Sequence, residues 1–353
     1  MRGNVIRPTI KQVASVAGVS TQTVSRVINE SRDVSRETRK RVQDVIEKLE
    51  YRPNVLARSL IRQRTHTLGV VTAGLNYIGP SFTLNGITAA AEEAGYALLL
   101  KELPRFDVND NEPIFRALVS RRTDGIIWAV QEVGENRSWM NTLDLDSEIP
   151  IVYLTMEPRE NLSIVSIDNY MGGCMAMSHL LDQGYRHIGH ISGPLAWWEA
   201  RQRMKAWKDA LEQAGIGFHD NFWVEGNWSS ASGARAAEKL LEQYTDMDSI
   251  LVANDQMALG AMKIVQQKGL RIPQDIGIVG FDNILESAFF EPSLTTVNHD
   301  QYNLGKVAVQ KIIKIIESGW DGLAPISPKS ITLEPTLVVR DSSLRLKVGE
   351  QKG

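Results

Sequence analysis

Ile10-Lys11-Gln12-Val13-Ala14-Ser15-Val16-Ala17-Gly18-Val19-Ser20-Thr21-Gln22-Thr23-Val24-Ser25-Arg26-Val27-Ile28-Asn29 decides how the N-terminal part of the chain folds. Ile10, Val13, Ala14 and Ala17 recur at helical spacing, and Thr9 stands where an N-cap belongs. Gly18 interrupts and suits a tight turn. Ser20 then caps a second helix with Val24, Val27 and Ile28 inward, while Thr21, Gln22, Ser25, Arg26 and Asn29 share the opposite face. Ser35 opens a third helix that buries Val42, Val45, Ile46 and Leu49. Two short helices joined by a glycine turn and backed by a third make a helix-turn-helix pattern, whose second helix enters the DNA major groove. Thr21, Gln22 and Arg26 carry the chemistry for base edges: a hydroxyl, an amide able to form paired hydrogen bonds, and a guanidinium that matches guanine. Periodicity alone also allows the plainer alternative, the solvated face of a small helix.

The charge distribution singles out the same segment. Residues 1–65 hold 14 Lys and Arg against 6 Asp and Glu, a net +8, whereas the remainder carries −11 within a chain total of −3. A basic head on an acidic body points to a polyanion partner for the head alone. With 353 residues, 43% of them hydrophobic and 23% charged, the chain has the length of two or three domains and an ordinary globular composition. The N-terminal residues lack the apolar core of an export signal, and no run is long enough to span a membrane, so a cytoplasmic protein without a membrane partner is expected. The single cysteine, Cys174, rules out an internal disulfide framework and any multi-cysteine zinc site.

The quoted head string closely resembles the DNA-binding head of LacI/GalR-family transcription regulators. Tyr51-Arg52-Pro53-Asn54-Val55-Leu56-Ala57-Arg58-Ser59-Leu60 resembles that family's hinge segment, and the likeness runs on to about residue 340. About seven residues follow Asn54 before Arg62-Gln63-Arg64, and a helix that short is marginal in water because nucleation is costly. The resemblance implies that paired hinge helices of a homodimer form on operator DNA. It places Leu60 as a wedge in the minor groove, with Asn54, Ala57 and Arg58 alongside, and Thr9, Ser20, Thr23, Ser25 and Asn29 among the head's DNA contacts.

From Leu68 onward, short apolar runs alternate with helical patterns. Strands are expected at Leu68–Val71, Ala97–Leu100, Gly125–Trp128, Pro150–Leu154, His187–Ile191, Phe222–Glu225, Ile250–Ala253 and Ile276–Gly280, with helices near 83–95, 170–183, 199–214 and 255–268. Such alternation means parallel sheets with right-handed crossovers, two of them over this length. The expected fold is therefore an all-α helix-turn-helix head plus an α/β body. The resemblance implies that the body is of periplasmic-binding-protein type, two doubly wound lobes around a ligand cleft. The head takes 1–53, a hinge and linker 54–66, the body 67–341 and a tail 342–353. Lobe 1 is placed at about 67–167 and 297–327, and lobe 2 at about 168–296 and 328–341.

Ligands of open α/β sheets sit beyond the carboxyl ends of the strands. Trp128, Trp197, Trp198 and Trp228 fall on predicted strand exits, where an indole can cover the C–H face of a sugar ring. Arg203, Asn254 and Asp282 are polar candidates at the same end, since an Arg with an Asp across a cleft suits vicinal hydroxyls. Taken alone, Asn254 and Asp282 also suit helix N-caps and Arg203 a surface ion pair. The resemblance places Arg203, Trp228, Asn254 and Asp282 where the family contacts its effector. Thr155 stands where sugar-responsive relatives often have aspartate, and His299 where an amide is frequent; a histidine there could make binding pH-sensitive. Tyr77 and Phe82 are weaker cleft candidates.

No phosphate loop, His-Glu-x-x-His or Gly-x-Ser-x-Gly elbow occurs, so neither an enzyme nor a cofactor is expected. The resulting expectation is a repressor of carbohydrate-utilisation genes governed by a small sugar between the lobes. The alternative is the same regulator answering to a nucleobase or a protein co-regulator.

Overall fold

A computed structural model of the chain describes residues 8–28, 31, 33–51, 64–108, 111–134, 136, 149–320 and 327–345. The chain divides into two units, Met1–Thr65 and His66–Gly353.

In the first unit, α1 (Ile10–Ala17), α2 (Thr21–Ile28) and α3 (Arg36–Lys48) enclose Val13, Ala14, Ala17, Val24, Val27, Val42 and Tyr51. Thr9 and Gln12 form a reciprocal capping box on α1, the Gln12 side chain accepting from the Thr9 N–H at 2.7 Å. Ser20 and Ser35 accept from the N–H groups of Thr23 (3.0 Å) and Thr38 (3.2 Å). Gly18 ends α1 at φ +65°. A Cβ there would meet nothing within 4 Å, so the left-handed backbone rather than crowding is what calls for glycine.

The second unit holds two six-stranded sheets. The first runs β11-β5-β4-β3-β1-β2 and is parallel throughout, with β1 Thr67–Ala73, β2 Ala97–Leu103, β3 Gly125–Ala129, β4 Ile151–Leu154, β5 Ile164–Ile167 and β11 Ile331–Leu333. The second runs β12-β10-β9-β8-β6-β7, with β6 Ile188–Ser192, β7 Trp223–Glu225, β8 Ser249–Val252, β9 Gly277–Asp282, β10 Thr295–Asn298 and an antiparallel edge, β12 Thr336–Val338. Helices cover both faces of each sheet, as parallel sheets require. α4 (Ile78–Glu93), α5 (Glu112–Ser120) and α10 (Gln301–Trp320) pack on the first sheet. α6 (Asn169–Asp182), α7 (Trp198–Gln213), α8 (Ser230–Gln243) and α9 (Asp255–Gln267) pack on the second.

The chain crosses between lobes at Asp168, between Asn298 and Gln301, and between Leu333 and Thr336. The last crossing corrects the expectation of one near 327. β11 returns to the first sheet and stops ahead of Pro335, which has no N–H to continue a ladder. The tail also begins later than 342. Ser342 and Ser343 are fully buried, and Ser342 Oγ donates to the Ile278 carbonyl at 2.7 Å while accepting from Thr295 N–H at 2.9 Å, pinning β9 and β10 together. No helix among the described residues is long and apolar enough to cross a membrane.

Candidate effector cleft and DNA-reading face

On α2, Val24 and Val27 face inward while Thr21, Gln22 and Arg26 are exposed, so the helix presents its base-compatible groups on its open side. Thr9, Ser20 and Thr23 are engaged in cap hydrogen bonds at helix starts. Ser25 is half-buried on the same helix. Asn29, Asn54, Leu56, Ala57, Arg58 and Leu60 lie outside the described residues.

In the second unit a cleft between the lobes has about 510 Å³ of empty space, part of it open to solvent. The exits of β1 and β3 and the start of α10 meet the exits of β6 through β10 there. Seven of the sequence candidates line it: Tyr77, Trp197, Arg203, Trp228, Asn254, Asp282 and His299.

Arg203 is the hub. It reaches out of α7 with 5% of its surface exposed, donating from Nε to Asn169 Oδ1 at 2.9 Å and from Nη1 to the Ala253 carbonyl. Nη1 lies 3.7 Å from Asp282 Oδ1, and the guanidinium carbon sits 3.7 Å from the Phe281 ring centroid and 5.6 Å from that of Trp228. Burial pulls the guanidinium pKa down, opposed chiefly by Asp282. Burial pushes the Asp282 carboxyl up to about 6 although Arg203 works against it. The pair is thus a desolvated one, whose donors and acceptors are held ready for a polar ligand.

Aromatic rings form another wall. Trp197 packs at 4.6 Å from Phe106, 5.6 Å from Trp228 and 6.4 Å from Tyr77, tilted or edge-on to each. Trp228 is held at φ +70°, and its carbonyl accepts from Asn254 Nδ2 at 3.1 Å. Gly193 makes room for its ring, because a Cβ there would stand 2.0 to 2.5 Å from three indole carbons. Asn254 fills the plainer role foreseen for it as well: Oδ1 caps α9 by accepting from Met257 N–H at 2.9 Å.

Burial, with Arg203 adding to it, drives the His299 pKa well below the usual imidazole value. The Gln301 amide lies 2.7 Å from its Nδ1, and Nε2 is buried without a partner among the described residues.

Four candidates are not in the cleft lining. Trp128 is an interior residue of β3, 2% exposed and stacked on Phe115 at 5.5 Å, because the strand runs past it and its face looks onto α5. Trp198 is buried where α7 begins, Thr155 is buried just after β4 at φ +55°, and Phe82 is exposed on α4. In exchange the cleft contains Gln131, Glu199, Gln256, Gln301 and Ile78-Gly79-Pro80 at the start of α4, none of them anticipated. Residue type gave no signal for these; only their nearness to strand exits did.

A helix-turn-helix head carried with a two-lobed body of periplasmic-binding-protein type defines a class of DNA-binding transcription regulators. Residues 9–54 match the family described as bacterial regulatory proteins, lacI family, and residues 177–343 match the periplasmic binding protein-like domain. The HTH-type transcriptional repressor PurR of Aliivibrio fischeri is 34% identical over 346 residues, covering 96% of this chain and 99% of that protein. PurR of Haemophilus influenzae is 32% identical over 339 residues, covering 95% and 98%. Among solved structures, the lac repressor dimer bound to operator and the anti-inducer ONPF superposes with a TM-score of 0.85 at 29% identity, covering 96% of this chain and 99% of that one. The complex of the transcriptional regulator CelR with cellobiose gives 0.69 at 29% identity, covering 95% and 100%. The chain belongs to the LacI family and is a DNA-binding transcriptional repressor of that family.

Proposed function

We propose that this repressor acts on carbohydrate-utilisation genes in the cytoplasm and that a small sugar in the interlobe cleft sets its affinity for an approximately palindromic operator. The observation that carries this reading is the pairing of the Trp197 and Trp228 rings with the desolvated Arg203–Asp282 pair in one cleft. Indole faces cover the C–H side of a pyranose, and the charged pair offers donors and acceptors to neighbouring hydroxyls. Tyr77, Asn254 and His299 complete the lining. In the head, Thr21, Gln22 and Arg26 read base edges, while Thr9, Ser20 and Thr23 set the helix starts against the backbone.

The protein works as a homodimer. Leu285 and Phe289 stand 75% and 88% exposed in one short turn, an apolar surface that a second copy would cover. Induction requires the sugar to favour the DNA-incompetent arrangement, since equal affinity for both arrangements shifts nothing. Operator affinity measured against a panel of mono- and disaccharides tests the reading, with at least one sugar expected to change it. If adenine, guanine or hypoxanthine changes it and no sugar does, the effector is a nucleobase, whose flat ring also stacks on indole.

A further inference from the structure

Among the described residues, four buried side-chain atoms of the cleft have no hydrogen-bond partner: Gln131 Oε1, Glu199 Oε2, Trp228 Nε1 and His299 Nε2. The first two come from opposite lobes and line the same cleft. Gln131 follows β3 of the first lobe, and Glu199 is the second residue of α7 in the second; each is 6% exposed. Their neighbours are joined directly. Trp198 N–H donates to the Glu132 carbonyl at 3.2 Å, and Val133 bridges Trp197 as a one-residue antiparallel pair. Gln131 and Glu199 therefore flank a hydrogen bond that exists only while the lobes are together.

Both unpartnered atoms are acceptors, and the local charges are unevenly matched. The Glu132 carboxylate has Arg159 at 3.0 Å and Arg201 at 3.9 Å, and Arg203 has Asp282. Glu199 has no ion-pair partner among the described residues. Burial pushes its carboxyl up to about 7, reinforced by Glu132 and opposed by its own backbone N–H and by Arg203 and Arg201 on the same helix. Asp282 and His299 belong to the same cleft. A buried carboxylate without an ion-pair partner is costly, so this position calls for a cation or a proton. A hydroxyl has one hydrogen to give, whereas an ammonium has three and accepts none, which suits two acceptors at once.

We infer that Gln131 and Glu199 form a subsite for a protonated amine on the effector, so that the cleft takes an amino sugar in preference to its neutral parent. The inference rests on the carbohydrate reading and narrows it. Bridging both lobes, the ammonium would hold the strap of residues 131–134 against the loop before α7 and so favour the closed cleft.

The test is calorimetric titration of the full-length protein with D-glucosamine, D-galactosamine, D-mannosamine and the glucosamine dimer, each beside its neutral parent and its N-acetyl form. At least one amino sugar is expected to bind about tenfold or more tightly than both counterparts, the range of one charge-assisted hydrogen bond. In Glu199→Gln the preference should fall to about threefold or less, because an amide has no charge to offer. Because the variant also removes a buried charge without an ion-pair partner, its melting temperature at pH 8 should be no lower than that of the parent protein. Equal or tighter binding of a parent or N-acetyl sugar overturns the inference and leaves the carbohydrate reading standing, as does a preference that survives Glu199→Gln. Silence from every sugar, charged or neutral, overturns both. The wild-type ratio alone decides the matter should the variant fail to fold.

Discussion

Replacing Arg203 by methionine keeps much of the side-chain volume and removes the charge around which the cleft is organised. Three groups lose their partner together: Asn169 Oδ1, the Ala253 carbonyl and Asp282, while the ring of Phe281 loses the plane stacked on it. Breaking a buried ion pair on one side costs about 3 to 5 kcal/mol, most of it from the charge left behind. The pH dependence separates that cause from lost packing. Asp282 already has its pKa pushed up to about 6 by burial, with Arg203 holding it from going higher. A carboxyl raised in the fold contributes stability that is fully present below its unfolded value near 4 and is lost as pH rises through the folded value. Without Arg203 the folded value moves up, so the variant goes on losing stability at pH values where the parent protein has levelled off. Glu199, which Arg203 also holds down, changes in the same direction. The deficit should therefore be larger at pH 8 than at pH 5. All eight tryptophans lie beyond residue 65, so urea unfolding followed by tryptophan fluorescence reports on the body alone. A deficit equal at the two pH values, or below about 1 kcal/mol, would refute the assignment of Arg203 and Asp282 as a desolvated pair.

Gly193→Ala should push the Trp228 ring off its seat, costing about 1 to 3 kcal/mol of stability and weakening effector binding, while affinity for operator without effector is unchanged; unaltered titrations would show that the ring is not part of the binding wall. Gln22→Ala and Arg26→Ala should each lower specific operator binding by about 1 to 3 kcal/mol while binding to random duplex changes little, which anisotropy titration can separate; equal losses on both duplexes would place these residues on phosphates instead. Phe289→Asp should shift the sedimentation profile from dimer to monomer, and a dimer that persists would move the interface elsewhere.

The sequence made the head legible because each of its signals is local. The caps Thr9, Ser20 and Ser35, the turn glycine Gly18 and a helical repeat of small apolar residues all act within a few positions of one another, and the structure uses each as read. Eight strands of the body were equally visible as apolar runs. Their ends were not. β3 is buried along its whole length, so nothing in Gly125–Trp128 says whether the strand stops at the tryptophan or passes it, and Trp128 was mistaken for an exit residue. Four further strands, β5, β10, β11 and β12, escaped because threonine, serine or asparagine interrupts each, so none makes an unbroken apolar run. Arg203 and Asp282 were found because the family resemblance places them at the effector, position alone leaving each a plainer role as ion pair or cap. Gln131 and Glu199 were missed because what distinguishes them is their position on facing lobes, which no spacing along the chain encodes.

The three lobe-to-lobe passages have a mechanical consequence. The first leaves from β5 and the third from its neighbour β11, tied by Asp168 N–H to the Leu333 carbonyl at 2.9 Å, while the second leaves β10 beside β12, where the third arrives. A lone connecting strand would act as a swivel, free to twist in any direction. Three abreast resist torsion and shear and yield mainly by flexing about the line they share, in the manner of a leaf spring. Work done by a small molecule at the mouth is thereby confined to one coordinate, and the direction in which the lobes answer is set by covalent connectivity before any molecule arrives.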